Sequence, residues 1–299
     1  MCGFAGFIEN SLRSNISFEE QLKKMSSAIG HRGPDDSGMW TDLDSRIGLV
    51  HNRLSIIDLT DAGRQPMKSD SDRYIIVFNG EIYNHLDIRK KIQRHIINKS
   101  WKGQSDTETL LASIDCWGLE KTLEISTGMF AFALWDKKNK ILSLARDRVG
   151  EKPLYYGWQK NTFMFGSELK ALRANSNFIG EIDRNSLSLF IERNNVPAPK
   201  SIYSNLYKLS PGCFINIECR NKKALQSKIF EKKYWSFSNI ALAGQSNLFL
   251  GSDSEAIELF DNKLRESVKQ QMVADVPLGA FLSGGIDSSL IVALMQEES

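Results

Sequence analysis

A strand-forming run that begins at the second residue, Cys2-Gly3-Phe4-Ala5-Gly6-Phe7-Ile8, constrains the fold of this 299-residue chain more than any other feature. It carries no charge and no alternating polar face, so it reads as a strand buried on both sides with its terminus held in place. Its glycines mark positions closely approached by other backbone. A chain that starts this way commits its first residues to the core.

Further apolar runs rich in β-branched and aromatic residues fall at 46–50, 74–78, 129–135, 141–145 and 162–165, and the first run itself spans 4–8; all read as strands. Helical periodicity falls at 18–29, 86–97, 107–117 and 183–192, without a regular strand–helix alternation. The expected class is therefore α+β, with one or two largely antiparallel sheets. A short strand at 214–217 ends this region, and the expected boundaries are a domain over 2–215, a linker over 216–252 and the start of a second domain over 253–299. There a long amphipathic helix at 254–272 leads into Val276-Pro277-Leu278-Gly279-Ala280-Phe281-Leu282, which reads as a buried strand.

Composition excludes several classes. With 41% hydrophobic and 25% charged residues the chain is an ordinary globular one, not a disordered one. Lys plus Arg total 38 against 36 acidic residues, so a net charge of +2 supplies no long-range pull toward nucleic acid or a membrane surface. No apolar run reaches spanning length, and the N-terminus has no basic region followed by an apolar core. The four cysteines, Cys2, Cys116, Cys213 and Cys219, match neither a CxxC pair nor a small disulfide framework, which points to a reducing compartment and a cytoplasmic protein. His51, His85 and His95 lack metal-ligand spacing, so no metal site is expected.

Cys2 follows the initiator methionine, whose removal is expected ahead of a small residue and would place a thiol and a free α-amino group on one residue. An α-amino group has an ordinary pKa of about 7.7–8.0, near working pH, so it can take the thiol proton and later pass it to a leaving amine. Nucleophile and base then need no histidine.

A substrate carrying an α-carboxylate, an α-ammonium and a side-chain amide needs a cation, an anion and oxyanion donors around such a nucleophile. Candidates are Arg53 at the head of Arg53-Leu54-Ser55-Ile56-Ile57-Asp58, Asn79-Gly80-Glu81 at a strand end, and Asp106 in Gln104-Ser105-Asp106-Thr107-Glu108, which opens a helix. His31-Arg32-Gly33-Pro34-Asp35-Asp36 is a loop of turn formers. Singly, each has an ordinary structural reading: a surface arginine, a hairpin turn, a helix cap.

Taken in order behind an N-terminal cysteine, these segments resemble the class II glutamine amidotransferases, most closely the glutaminase half of glutamine-hydrolysing asparagine synthetases. The resemblance extends to Gly128-Met129-Phe130-Ala131-Phe132-Ala133-Leu134-Trp135-Asp136, to Arg146-Asp147-Arg148-Val149-Gly150-Glu151-Lys152-Pro153-Leu154-Tyr155-Tyr156 and to Gly166-Ser167-Glu168-Leu169-Lys170-Ala171-Leu172. It implies an N-terminal-nucleophile fold, two antiparallel sheets between helical layers. It also implies roles: Cys2 as nucleophile, Arg53 on the glutamine carboxylate, Asp106 and Glu81 on its ammonium, and Asn79 with the Gly80 N–H on the oxyanion. Leu54 would belong to the glutamine site, and backbone groups of Ser55, Ile56 and Ile57 would line it.

Near the C-terminus, Ser283-Gly284-Gly285-Ile286-Asp287-Ser288-Ser289 precedes a helix at 290–296 and offers backbone N–H groups and hydroxyls at a helix N-terminus, where a phosphate fits. It is neither GxGxxG nor GxxxxGK[ST]. The motif is similar to the pyrophosphate loop of ATP pyrophosphatases. That similarity implies an ATP site formed by Leu282, Ser283, Gly284, Gly285, Asp287, Ser288 and Ser289, magnesium accompanying the ATP, and ammonia converting activated aspartate to asparagine. Glutamine hydrolysis itself would need no cofactor. One strand and one helix bury too little apolar surface for a stable nucleotide domain, so the expectation is a fragment or one half of a split enzyme, completed by a second synthetase chain or in a homodimer. Two other readings stand beside it: amidation of a different carboxylate, such as a sugar's, and a non-catalytic remnant serving as an interaction subunit.

Overall fold

The computed structural model describes residues 2–9, 17–97, 99–220 and 229–299. Met1 lies outside these, as does most of the polar stretch after Arg220.

β1 (Gly3–Glu9) is followed by α1 (Phe18–Ala28), β2 (Asp36–Asp42), β3 (Ile47–Arg53), β4 (Met67–Lys68) and β5 (Tyr74–Ile82). Next come α2 (His85–His95), α3 (Asp106–Trp117), α4 (Leu119–Ile125), β6 (Gly128–Asp136), β7 (Ile141–Arg146), β8 (Tyr155–Gln159) and β9 (Thr162–Gly166). Beyond these lie α5 (Leu169–Arg173), α6 (Arg184–Arg193), β10 (Leu206–Lys208), β11 (Cys213–Glu218), β12 (Lys232–Lys233), α7 (Phe237–Ser246), α8 (Asp253–Gln271) and α9 (Ile286–Glu297).

The strands form two sheets, in the orders β10-β8-β9-β1-β3-β2 and β12-β11-β7-β6-β5-β4. Every strand pairing in them is antiparallel. Side chains alternate between faces along a strand, and the three clusters of buried side chains follow that alternation. Phe4, Ile8, Ile47, Leu49, Ile75, Val77, Ala131, Ala133 and Trp135 fill the space between the sheets. Ala5, Phe7 and Val50 turn the other way, onto Leu22 and Met25 of α1 and Ala171 and Leu172 of α5. Ile76, Phe78, Phe130 and Phe132 meet Ile88 and Ile92 of α2, Leu110, Leu111 and Ile114 of α3, and Leu123 of α4. The result is a helix–sheet–sheet–helix sandwich, the expected α+β class. β1, central in its sheet and covered on both faces, has no reason to alternate polar with apolar.

Close backbone approach explains Gly6: a Cβ there would meet the Gly48 carbonyl oxygen at 2.5 Å and the Phe165 ring. Helix starts follow capping chemistry. The Ser17 hydroxyl accepts from the Glu20 N–H at 3.1 Å and opens α1; Ser105 accepts from the Glu108 N–H at 3.2 Å and opens α3.

The structure adds elements not expected from the sequence, β2, β8, α4 and α5 among them, and it differs from three local readings. Asn79 and Gly80 are not a hairpin turn: they pair with Ala131 and Phe130 inside β5, which runs on to Ile82. The second sheet continues past residue 215, since β11 reaches Glu218 and pairs with β12, and α7 also falls within the stretch expected to be linker. Residues 276–282 form no strand; Phe281 is fully exposed, and no β-pairing partner lies beside this run among the described residues. Pro277 has no N–H to donate to a ladder, which weakens a strand at this run. The helix before it, α8, holds close to its expected span, opened by a capping box between Ser252 and Glu255.

Candidate active site

The alternation that sorts the core also assembles the site. Phe4 and Ile8 point between the sheets, and so, two positions earlier, does Cys2; Ile47 and Leu49 carry the same face of β3 on to Arg53; Ile75 and Val77 carry that of β5 on to Asn79. Three residues far apart in sequence thereby reach one end of the inter-sheet space. There they line a cavity of about 390 Å³ together with Leu54, Ile56, Ile57, Gln65, Phe78, Gly80, Glu81, Ser105, Asp106, Thr107, Met129, Lys152 and residues 276–279. That volume lies within the roughly 300–1,000 Å³ typical of small-molecule pockets. Of the residues expected in the glutamine site, Ser55 alone is absent from the lining, its N–H donating instead to Asp35 Oδ2 at 2.8 Å.

Cys2 is clasped by backbone. Its Sγ accepts the Leu54 N–H at 3.3 Å and lies 3.4 Å from the Leu54 carbonyl oxygen. Arg32 Nε donates to the Cys2 carbonyl at 2.9 Å, while Arg32 Nη1 and His31 Nε2 meet Glu168 Oε1 at 2.9 and 3.1 Å. The loop of turn formers thus holds the main chain of Cys2 in place. Burial pushes the Cys2 thiol above its ordinary pKa, against the pull of the Leu54 N–H. Such a thiol is protonated at neutral pH and requires a base beside it. His51 is a poor one: burial drives its pKa down to about 4, and its Nε2 is bonded to the Phe78 carbonyl at 2.9 Å.

The residues expected to donate to an oxyanion sit on the opposite sheet. Asn79 is 1% exposed, and its Nδ2 has no hydrogen-bond partner among the described residues. A buried amide without a partner costs about 1–3 kcal/mol, so one facing the nucleophile's cavity is a donor held for a ligand. On the edge of β5 away from β6, the Phe78 N–H is taken by Gln65 Oε1 at 2.6 Å and the Ile82 N–H by Asp106 Oδ2 at 2.8 Å. The Gly80 N–H, between them by alternation, faces the same open edge. Only glycine fits at position 80: φ is +154°, and a Cβ would collide with the Met129 carbonyl oxygen and lie 2.6 Å from Phe130 Cα.

Charge is arranged in two places. Arg53, 6% exposed, donates through Nη1 to the Thr60 carbonyl at 3.0 Å and through Nη2 to the Asp58 carbonyl. Both acceptors are neutral, so the guanidinium charge is free to face an anion in the cavity. Asp106 starts α3, and burial raises its carboxyl to a pKa of about 6 against the hydrogen bond from Ile82. Burial also raises the Glu81 carboxyl, while Lys152, its own pKa lowered by burial, pulls it back. Cation and anion at separate positions match an amino-acid head group.

The Ser283 loop is not brought to this cavity. Gly284 has φ +83° at the turn, Gly285 caps α9, and the Ser288 and Ser289 hydroxyls both donate back to the Gly285 carbonyl, at 3.1 and 2.8 Å. Leu282, Ser283, Gly284, Gly285, Asp287 and Ser289 are exposed, Ser288 is half-buried, and a Cβ on Gly284 would meet nothing within 4 Å. The donor set suits a phosphate, but these residues do not enclose one.

Sequence reasoning did not place Gly63, Gln65, Phe78, Ser105, Thr107, Met129, Lys152 or residues 276–279 in this lining. Met129 and Lys152 lie in motifs that carried the resemblance. Gln65 and the 276–279 segment carry no local signal of a role here.

This combination of fold and site fits one class, the amidotransferases, and comparison with known proteins agrees. Residues 1–235 match the glutamine amidotransferase domain model and residues 259–299 the asparagine synthase model. The chain belongs to the glutamine amidotransferase family. It is 36% identical over 298 residues to asparagine synthetase [glutamine-hydrolyzing] 1 of Bacillus subtilis, covering 99% of this chain and 44% of that protein. It is 31% identical to Amidase chry2 of Gibberella zeae, covering 99% and 43%. The chain thus spans about half the length of the curated relatives it matches. Among solved structures it shares a fold with the allosteric regulatory enzyme of purine biosynthesis, with a TM-score of 0.54, 16% identity and coverage of 79% of this chain and 49% of the other. It does so also with glutamine phosphoribosylpyrophosphate amidotransferase from B. subtilis, with a TM-score of 0.53, 14% identity and coverage of 99% and 64%.

Proposed function

We propose that this chain hydrolyses glutamine at Cys2 and releases ammonia for an ATP-dependent amidation, with aspartate as acceptor and asparagine as product. The observation that carries the first half is the partnerless, buried Asn79 amide in the cavity that holds Cys2. Once Met1 is removed, the Cys2 α-amine takes the thiol proton as sulfur attacks the side-chain carbonyl of glutamine. The developing oxyanion is met by Asn79 Nδ2 and the Gly80 N–H, Arg53 holds the carboxylate, and Asp106 with Glu81 holds the ammonium. The amine returns its proton to the leaving ammonia, and water then cleaves the thioester to glutamate.

The second half rests on the named relatives and on the match at residues 259–299. ATP, with its Mg2+, would activate the acceptor carboxylate. Leu282, Ser283, Gly284, Gly285, Asp287, Ser288 and Ser289 would be this chain's share of that site. Labelling with an electrophilic glutamine analogue followed by peptide mass mapping tests the nucleophile. The expected result is one adduct, on an N-terminal Cys2 lacking Met1. An adduct on Cys116, Cys213 or Cys219, or a retained Met1, would contradict it.

A further inference from the structure

The segment that joins α8 to α9 reaches out of its own helices onto the glutamine pocket. Asp275 grips the loop after β3 twice: its N–H donates to the Ile56 carbonyl at 2.9 Å, and its Oδ2 accepts the Asp58 N–H at 2.6 Å. Residues 276–279 then form part of the cavity wall. Asp275 lies within the stretch that matches the asparagine synthase model, whereas everything it grips lies in the amidotransferase region.

The gripped residue is a junction. Asp58 is 4% exposed and sits at φ +60°, a conformation that a non-glycine residue holds only with support. Its carbonyl accepts from Arg53 Nη2, one of the two bonds that orient the guanidinium. Its Oδ1 accepts from Thr60, whose carbonyl takes the other guanidinium bond. Its Oδ2 accepts the Gln104 N–H at 2.8 Å, just ahead of the Ser105 cap and Asp106. Burial alone would raise the Asp58 carboxyl, but the hydrogen bonds from Thr60 and Gln104 hold it below its ordinary pKa. Every acceptor of Asp58 is committed inward, to the two groups that would hold the ends of the substrate. Its N–H is held from outside, by Asp275.

We propose that Asp275 is a positioning residue of the glutamine site: by holding the Asp58 N–H it fixes Arg53 and the start of α3, so the segment leading to the Ser283 loop completes the glutamine pocket. The proposal rests on the glutaminase reading for its effect on substrate, and on the Asp275–Asp58 contact alone for its effect on the loop. A group that acts on substrate grip changes KM more than kcat. A staple that only stabilises the fold lowers the melting temperature and leaves KM unmoved.

The experiment uses the full chain carrying Asp275→Ala or Asp275→Asn, with two readouts. Glutamate release is expected to show KM for glutamine raised roughly three- to tenfold by Asp275→Ala with kcat changed less, the size of one lost hydrogen bond. Asp275→Asn, which keeps an acceptor oxygen, is expected to recover most of that loss. Amide hydrogen exchange without substrate is expected to be faster over residues 56–60 and 104–106 in Asp275→Ala. KM within twofold of wild type in Asp275→Ala, on a chain whose Cys2→Ala variant is inactive, overturns the proposal. If the wild type turns over no glutamine, it is the glutaminase reading that fails. Unchanged exchange in Asp275→Ala then still overturns the contact.

Discussion

At the residue scale, the site is made of groups held against their ordinary preferences. Asn79 keeps a buried donor without a partner, Cys2 keeps a thiol that burial holds protonated, and Asp106 keeps a carboxyl raised to about 6. Unsatisfied and perturbed groups gathered in one cavity mark it as a candidate for function. Asn79→Ala is expected to lower glutamine turnover about 100- to 1,000-fold; a steady-state rate within tenfold of wild type would remove Asn79 from the oxyanion site. Asp106 carries a pH dependence whose sign follows from its raised pKa. It is ionised above about 6 and takes up a proton as pH falls through that value, losing its charge for the substrate ammonium. Glutamine binding to a Cys2→Ala variant, which separates binding from chemistry, is therefore expected to weaken between pH 7 and pH 5. A dissociation constant flat over that range would contradict the assignment.

At the scale of elements, strand alternation carries Cys2, Arg53 and Asn79 to one end of the inter-sheet space, and α3 delivers Asp106 by its first turn. The central strands were legible in the sequence because both faces of β1, β5 and β6 are covered, which leaves continuous apolar runs, whereas β2 and β8, whose apolar residues form no such run, were not. The site residues were legible as an ordered set, while their individual local roles were not. Asn79-Gly80 has the composition of a hairpin turn, and only the pairing with Ala131 and Phe130 shows that Gly80 serves close packing instead. Residues 276–282 misled in the other direction: apolar enough for a strand, they form none, and 276–279 instead line the cavity that holds Cys2. The contact from Asp275 to Asp58 spans 217 residues, and no local pattern reports a pairing of that kind. Ser105 offers a test of the helix's part. Ser105→Ala removes the acceptor for the Glu108 N–H and is expected to cost about 1 kcal/mol of stability. It is also expected to raise KM for glutamine through Asp106; an unchanged KM in a variant of lowered melting temperature would separate the helix start from the site.

At the scale of the whole molecule, the sandwich and the C-terminal segment differ in how they are built. The two sheets and the helices packed on them hold three clusters of buried side chains, whereas α8 and α9 bury only Val268 and Leu294 between them. That contrast agrees with a sandwich that folds around its own core, and with a Ser283 loop that has no walls of its own. No helix among the described residues is long and apolar enough to cross a membrane. The central claim, that Cys2 is the nucleophile of a glutaminase, is tested most directly by glutamate release from glutamine, measured for the full chain and for Cys2→Ala. The expected result is release by the wild type and none by the variant; equal release from both, or none from a wild type lacking Met1, would contradict it.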